Sequence, residues 1–127
     1  MNTEKNFRKI LRGDVYWADL RPLSDVVKHM EGGVRPVVVI SNSYNNKYCD
    51  LLNVIPITSK KDRLPQHQSV TVMHKKEPRK SYLLPENTCV IHKNQLSNFI
   101  CHLDTHSISN MNRAIMIQFE LSLGGEN

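Results

Sequence analysis

Val37-Val38-Val39-Ile40-Ser41-Asn42-Ser43-Tyr44-Asn45-Asn46-Lys47-Tyr48-Cys49-Asp50-Leu51-Leu52-Asn53-Val54-Ile55-Pro56-Ile57 holds two apolar runs with a polar run between them. Val37–Ile40 is wholly apolar, as expected for a strand covered on both faces. Leu51–Ile57 reads as its partner. The Ser41–Lys47 segment is dense in Ser and Asn, whose side chains bond to nearby backbone and favour turns. The stretch therefore predicts a hairpin, or a near-hairpin with a short helical turn at its tip.

Working outward, Asp14–Leu20 is rich in β-branched and aromatic residues and stops at Arg21-Pro22, where proline offers no ladder donor. It reads as a strand. Leu23–Gly33 is mostly polar and closes on Gly32-Gly33, a pair suited to positive φ, so a surface loop is expected. Lys60–His67 is a charged loop, Ser69–Met73 alternates like a half-exposed strand, and His74–Lys80 reads as a basic turn containing Pro78. Short strands follow at Cys89–Ile91 and around Gln95-Leu96. From Ile108, the spacing of Met111, Ile115 and Phe119 predicts one amphipathic helix, with Ser107 as cap and Gly124 as stop. A weaker helix is expected over Thr3–Leu11. Short strands closed by a terminal helix predict a mainly β fold: a small antiparallel barrel with a C-terminal α-helix and short additional helices.

The chain has 127 residues, which predicts a single domain spanning 1–127. Its 39% hydrophobic and 23% charged residues exclude wholesale disorder and membrane residence. No apolar run approaches the length of a bilayer span or a secretory signal, so the cytosol is the expected location. Three cysteines without a C-x-x-C pair describe no disulfide framework. The formal charge of +5 favours polyanionic partners such as RNA, DNA or an acidic protein tail.

Arg35 and Thr58 are equidistant from the centre of the Asn-rich turn, between Asn46 and Lys47. In an antiparallel pair such residues face each other with Cβ atoms roughly 4.5–5.5 Å apart. The bland alternative is an exposed arginine beside a strand-end threonine. Six histidines raise a second possibility, in which two imidazoles share acid and base roles. Of these, His29 lies beside the glycine turn, His67 and His74 fall in charged loops, and His92, His102 and His106 come late in the chain. Cys89-x-x-His92 has ligand-like spacing, but Cys101-His102 are adjacent and complete no second pair, so no metal and no cofactor is expected. Trp17, Tyr16 and Tyr44 are candidates for stacking on bases, although a single Trp in an opening strand is more often core.

The neighbours of Arg35 and Thr58 carry more. Arg12-Gly13-Asp14-Val15-Tyr16-Trp17-Ala18-Asp19-Leu20, Gly32-Gly33-Val34-Arg35-Pro36-Val37-Val38-Val39-Ile40-Ser41 and Pro56-Ile57-Thr58-Ser59, in that order and spacing, resemble the MazF/PemK family of toxin endoribonucleases. The likeness continues through Leu64-Pro65, Val90-Ile91, Gln95 and the terminal helix. Two departures stand out. Family members commonly carry Glu-Gln ahead of the first glycine, where Met30-Glu31 stands here, and an arginine-containing run after the glutamine, where Leu96-Ser97 follows.

The resemblance implies an SH3-like barrel, a homodimer, and metal-independent, sequence-specific cleavage of single-stranded RNA by 2′-hydroxyl attack. It implies Arg35 and Thr58 as catalytic residues. The candidate RNA contacts are Lys28, His29, Gly33, Ser59, Lys60, Lys61 and Gln95. It further implies an acidic antitoxin of the MazE type whose disordered tail folds onto the same cationic groove. A planar guanidinium suits the charge that builds on a phosphoryl group, whereas neither arginine nor an alcohol is a general base at neutral pH, which leaves the base unassigned. Two rivals remain: a gyrase poison of the same barrel, which has no use for Arg35 paired with Thr58, and a catalytically silent nucleic-acid-binding barrel.

Overall fold

The computed structural model describes residues 8–21, 33–61 and 64–122. Among these, seven strands form one curled antiparallel sheet: β1 (Asp14–Asp19), β2 (Val34–Val39), β3 (Leu51–Thr58), β4 (Ser69–His74), β5 (Glu77–Leu83), β6 (Cys89–His92) and β7 (Leu96–His102). Helices α1 (Ser43–Tyr48) and α2 (Thr105–Gln118) complete it, with single 3-10 turns at Pro85–Asn87 and Lys93–Gln95. The sheet order is β4-β5-β3-β2-β1-β7, and β6 pairs with β3 off that path. The sheet curls until β4 and β7 meet, so that Val70 and Val72 of β4 share a core with Cys101 of β7. The result is mainly β, a barrel open along one seam.

The central strands are covered on both sides. Val15, Val38, Ile55 and Ile57 pack inward with Leu83, Met111 and Ala114. Tyr16, Ala18, Val37, Val39, Leu52 and Val54 pack on the opposite face with Ile10, Ile91 and Leu96. Such double coverage is what the unbroken Val37–Ile40 run predicts. It also removes Tyr16 from any surface role: the ring is buried edge-on to Phe99, and desolvation pushes its phenol up to about 12.

The β2–β3 connection folds as the Asn-rich sequence predicts, around a short helix. Asn42 caps α1 by accepting from the Asn45 N–H. Buried Asn46 donates through Nδ2 to the Ser41 carbonyl and accepts the Ser41 hydroxyl proton at 2.6 Å. Ser41 Oγ in turn accepts from the Asn53 N–H, and Ile40 N–H donates to Asn53 O. These bonds clasp the two strand ends together.

The Arg12-Gly13-Asp14 signature is architectural. Arg12 donates from Nε to the Ile40 carbonyl and from a terminal nitrogen to Asn112, tying β2 to α2. Gly13 has φ +97, and a Cβ there would meet Ile108 at 3.0 Å. Fully buried Asp14 accepts from the Leu11 N–H and bonds His102 at 2.8 Å.

The exposed edge of β4 is covered by α2 and β7 rather than left as a pairing template. Asn110 donates to the Ser69 carbonyl, Ser107 Oγ accepts from the Thr71 N–H, and the Met73 N–H reaches the Cys101 sulfur. Ser107 is therefore not the helix cap. Asp104 is, accepting from the Ser107 N–H at 2.7 Å, and the helix begins three residues before the predicted start. It also ends earlier, at Gln118, where Glu120 adopts φ 52 and Leu121 N–H closes back on the Met116 carbonyl. Phe119 lies exposed outside the packed face.

Two strands differ from the sequence expectation. His74–Lys80 is not a basic turn: only Lys75-Lys76 turn, both at positive φ, and β5 starts at Glu77. Pro78 is tolerated because β5 pairs there with β4 alone, leaving its missing N–H on an unpaired edge. The strand expected around Gln95-Leu96 runs on to His102, with Gln95 itself in the preceding 3-10 turn. Two irregularities in its pairing with β1 break the alternation that would have revealed it. The helix expected over Thr3–Leu11 falls mostly outside the described residues, and its described part, from Arg8 to Leu11, is not helical.

Candidate active-site cleft

Strand β3 changes partners along its length. The β2–β3 ladder runs from Val39–Val54 to Val37–Pro56, and from Ile57–Leu83 onward β3 pairs with β5. Pro36, whose nitrogen faces β3, lacks the donor that would carry the first ladder further. The early part of β2 is thus parted from β5, and a cleft of about 500 Å3 opens between them. This lies within the range of roughly 300–1,000 Å3 that holds small ligands.

Apolar side chains of Trp17, Pro36, Ile57, Val72 and Ile100 line part of its wall. The polar lining comes from Gly33, Arg35, Thr58, Ser59, Lys60, His74, Arg79 and Ser81. Arg35, Lys60 and Arg79 make the cleft cationic, and no carboxylate lines it among the described residues. A chain of phosphates is the ligand that such a lining attracts.

The ladder keeps the register that the sequence predicts but stops short of the expected Arg35–Thr58 pair: each lies two residues beyond its last pair, and Thr58 pairs with Tyr82 of β5 instead. Arg35 and Thr58 are half-buried and both line the cleft. Arg35 sits opposite Ala18 of β1, which holds its backbone on the rigid centre of the sheet. Thr58 Oγ1 accepts from the Lys60 N–H at 3.2 Å, closing a tight turn that sets Ser59 and Lys60 at the rim. Gly33 has φ +78 with open space around its Cα, so the backbone conformation and not crowding calls for glycine. Its carbonyl accepts from the Leu20 N–H, anchoring the strand that carries Arg35.

Of the other residues picked out in the sequence, Lys61 is exposed and outside the cleft lining. Lys28 and His29 lie outside the described residues. Gln95 stands apart from the cleft lining. Its Oε1 accepts from the His92 N–H and its Nε2 donates to the Asp19 carbonyl, a structural brace between β1 and the start of β7. Tyr44 is exposed on α1 and is not part of the cleft. Among the described residues no three His, Cys, Asp or Glu side chains gather to hold a metal ion. Cys89 packs on one face of the sheet and Cys101 on the other.

Sequence reasoning missed Trp17, His74, Arg79 and Ser81 as parts of one site. Trp17 and His74 meet edge to face, ring centroids 6.3 Å apart at 75°. His74 and Arg79 are on strands and not in loops, and the cross-strand pairs Val72–Arg79 and Val70–Ser81 set Arg79 and Ser81 on the inward face. The detectable signal was the alternation Val70, Val72, His74, which puts His74 on the face of two core valines.

The family of PemK-like, MazF-like toxins of type II toxin–antitoxin systems matches residues 11–119. Endoribonuclease EndoA of Bacillus subtilis is 37% identical over 114 residues, covering 88% of this chain and 96% of the relative. Endoribonuclease MazF of Staphylococcus saprophyticus is 35% identical over 115 residues, covering 89% and 90%. Among solved structures, a mycobacterial endoribonuclease in complex with its cognate antitoxin superposes with a TM-score of 0.66 over 93% of this chain and all of the other, at 19% identity, a likeness of fold.

Proposed function

Because the chain belongs to the PemK-like, MazF-like toxins of type II toxin–antitoxin systems, we propose that it is an endoribonuclease toxin that cuts single-stranded RNA in the cleft between β2 and β5. The cut is sequence-specific and metal-independent, and it leaves a 2′,3′-cyclic phosphate and a 5′-hydroxyl. The observation that carries this reading is that Arg35 and Thr58 both line one cationic cleft.

In this mechanism the ribose 2′-hydroxyl attacks the adjacent phosphorus in line, and negative charge grows on the non-bridging oxygens. The Arg35 guanidinium offers two parallel donors to those oxygens, and the Thr58 hydroxyl donates a further bond or orients the attacking group. Lys60, Arg79 and the rim at Gly33 and Ser59 hold the flanking backbone. A lining of cations and alcohols does by fixed charge what a divalent ion does elsewhere, and among the described residues it offers a metal one imidazole and no carboxylate. The same positive cleft fits an acidic antitoxin segment, which would block RNA by occupying its place. A homodimer is the proposed assembly.

The deciding experiment adds purified protein to a long defined RNA in excess chelator and maps the ends. Cleavage at a recurring short sequence with cyclic phosphate termini is expected. Intact RNA refutes the mechanism and favours a toxin that acts by binding, whereas cleavage only when divalent metal is restored refutes its metal independence.

A further inference from the structure

An in-line attack by a ribose hydroxyl needs a group that takes its proton, and the two residues assigned above do not supply one. Guanidinium stays protonated, and an alcohol has no basic lone pair of useful strength. Of the side chains that line the cleft among the described residues, three are permanently or ordinarily cationic, three are alcohols, and the remainder are apolar or glycine, except one. That one is His74, whose imidazole in its neutral form carries an accepting lone pair.

We propose that His74 is the general base of the cleavage step, an inference that rests on the endoribonuclease reading of the same cleft. His74 ends β4 on the inward face, two residues beyond Val72, and is half-exposed where the cleft opens. The Trp17 ring meets it edge to face, which restricts the imidazole plane. Around it stand Arg35 from β2, Lys60 beyond β3 and Arg79 from β5, with Glu77 as its partner across the hairpin, while β1 and β7 present uncharged Trp17 and Ile100. The arrangement splits the work: Arg35 and Thr58 hold the phosphoryl oxygens from one wall, and His74 meets the ribose from the other.

The step balances without a co-reactant. The 2′-hydroxyl proton passes to the imidazole as the 2′-oxygen forms its bond to phosphorus. The bond from phosphorus to the 5′-oxygen breaks, and that oxygen departs as a hydroxyl, taking a proton from solvent. The imidazolium then returns its proton to solvent and the cyclic phosphate is released.

The test is single-turnover cleavage of a mapped RNA site as a function of pH by wild type, His74→Ala, His29→Ala and Arg35→Ala, with binding of the 2′-deoxy analogue as a parallel readout. General-base catalysis contributes about 10²–10⁴-fold, so His74→Ala should lose that much rate. It should also lose the rising acid limb of the pH profile, bind the uncleavable analogue within about threefold of wild type, and regain rate on addition of free imidazole. A His74→Ala protein that keeps more than a tenth of the rate with the acid limb intact overturns the assignment. So does transfer of that limb's loss to His29→Ala. Wild type that cleaves, Arg35→Ala that does not, and His74→Ala that does would remove this inference alone. Wild type that leaves RNA intact would remove it together with the endoribonuclease reading.

Discussion

Replacing Arg35 by alanine removes a half-buried positive charge from the wall of the cleft, and its cost can be worked two ways. At about 4 Å and an effective dielectric of about 20, a unit charge attracts a unit of developing negative charge by about 4 kcal/mol. Loss of a single oxyanion donor in other enzymes costs about 2.7–4 kcal/mol. The two agree, and at about 1.4 kcal/mol per decade they predict a fall of about 10²–10³-fold in the cleavage rate. Arg35→Lys keeps the charge but loses the planar fork, so it should recover part of that and remain below wild type. The assay is single-turnover cleavage of an end-labelled RNA, with thermal unfolding followed by circular dichroism as the folding control. A well-folded Arg35→Ala protein that cleaves within tenfold of wild type would refute the reasoning, because the cleft would then stabilise the transition state by other means.

Three further predictions concern the scaffold. Ser107→Ala leaves the Thr71 N–H without the buried hydroxyl it now reaches at 2.9 Å, which should cost about 1–3 kcal/mol and several degrees of Tm; an unchanged melt would show that water replaces the hydroxyl freely. Lys75→Asn with Lys76→Gly supplies residues that favour the positive φ of both positions and should raise stability by about 1–2 kcal/mol, read as a higher urea midpoint; a lower midpoint would mean the lysine side chains stabilise the turn. The bond from the Ser107 N–H holds the Asp104 carboxyl below its usual range, so its ionised form favours the folded state. That contribution is complete above the unfolded pKa near 3.8 and is lost as pH falls through the lower folded value. Asp104→Asn should therefore have a flatter Tm between about pH 5 and pH 2 than wild type. Parallel curves over that interval would contradict the cap assignment.

What the sequence disclosed follows from where its signals were local. The Val37–Ile57 stretch declared its strands through apolar density and its turn through asparagine, and the register came with them. The same stretch set the register that leaves Arg35 and Thr58 equally far beyond the last β2–β3 pair, but not the parting of the strands there. Strand β5 was hidden because its turn uses two lysines where hairpins prefer Asn-Gly, and because proline in its first half imitates a loop. Losing β5 also concealed half of the cleft: Arg79 and Ser81 look like loop residues until that strand exists. Trp17 gave no local sign that its ring would stand in a groove rather than in the core, since this depends on β4 curling round to meet β1. The helix start was misplaced for a related reason. Ser107 has the composition of a cap, but its hydroxyl is taken by an edge strand thirty-six residues away in sequence.

The Ser41–Asn46–Asn53 clasp bears on chemistry it never touches. A strand buried on one face resists slipping by a residue, because the slip would turn its oily side to water. Val37-Val38-Val39 has no such protection: shifted by one, it would still present valine to both interiors. Alignment of β2 against β3 is left to the polar bonds at the tip, six residues from Arg35 along the strand, or about 20 Å at the rise of an extended chain. Those asparagines act as a mechanical stop for the guanidinium and the alcohol at the far end, so a substitution on what looks like an idle surface turn can blunt the enzyme without altering any group that lines the cleft.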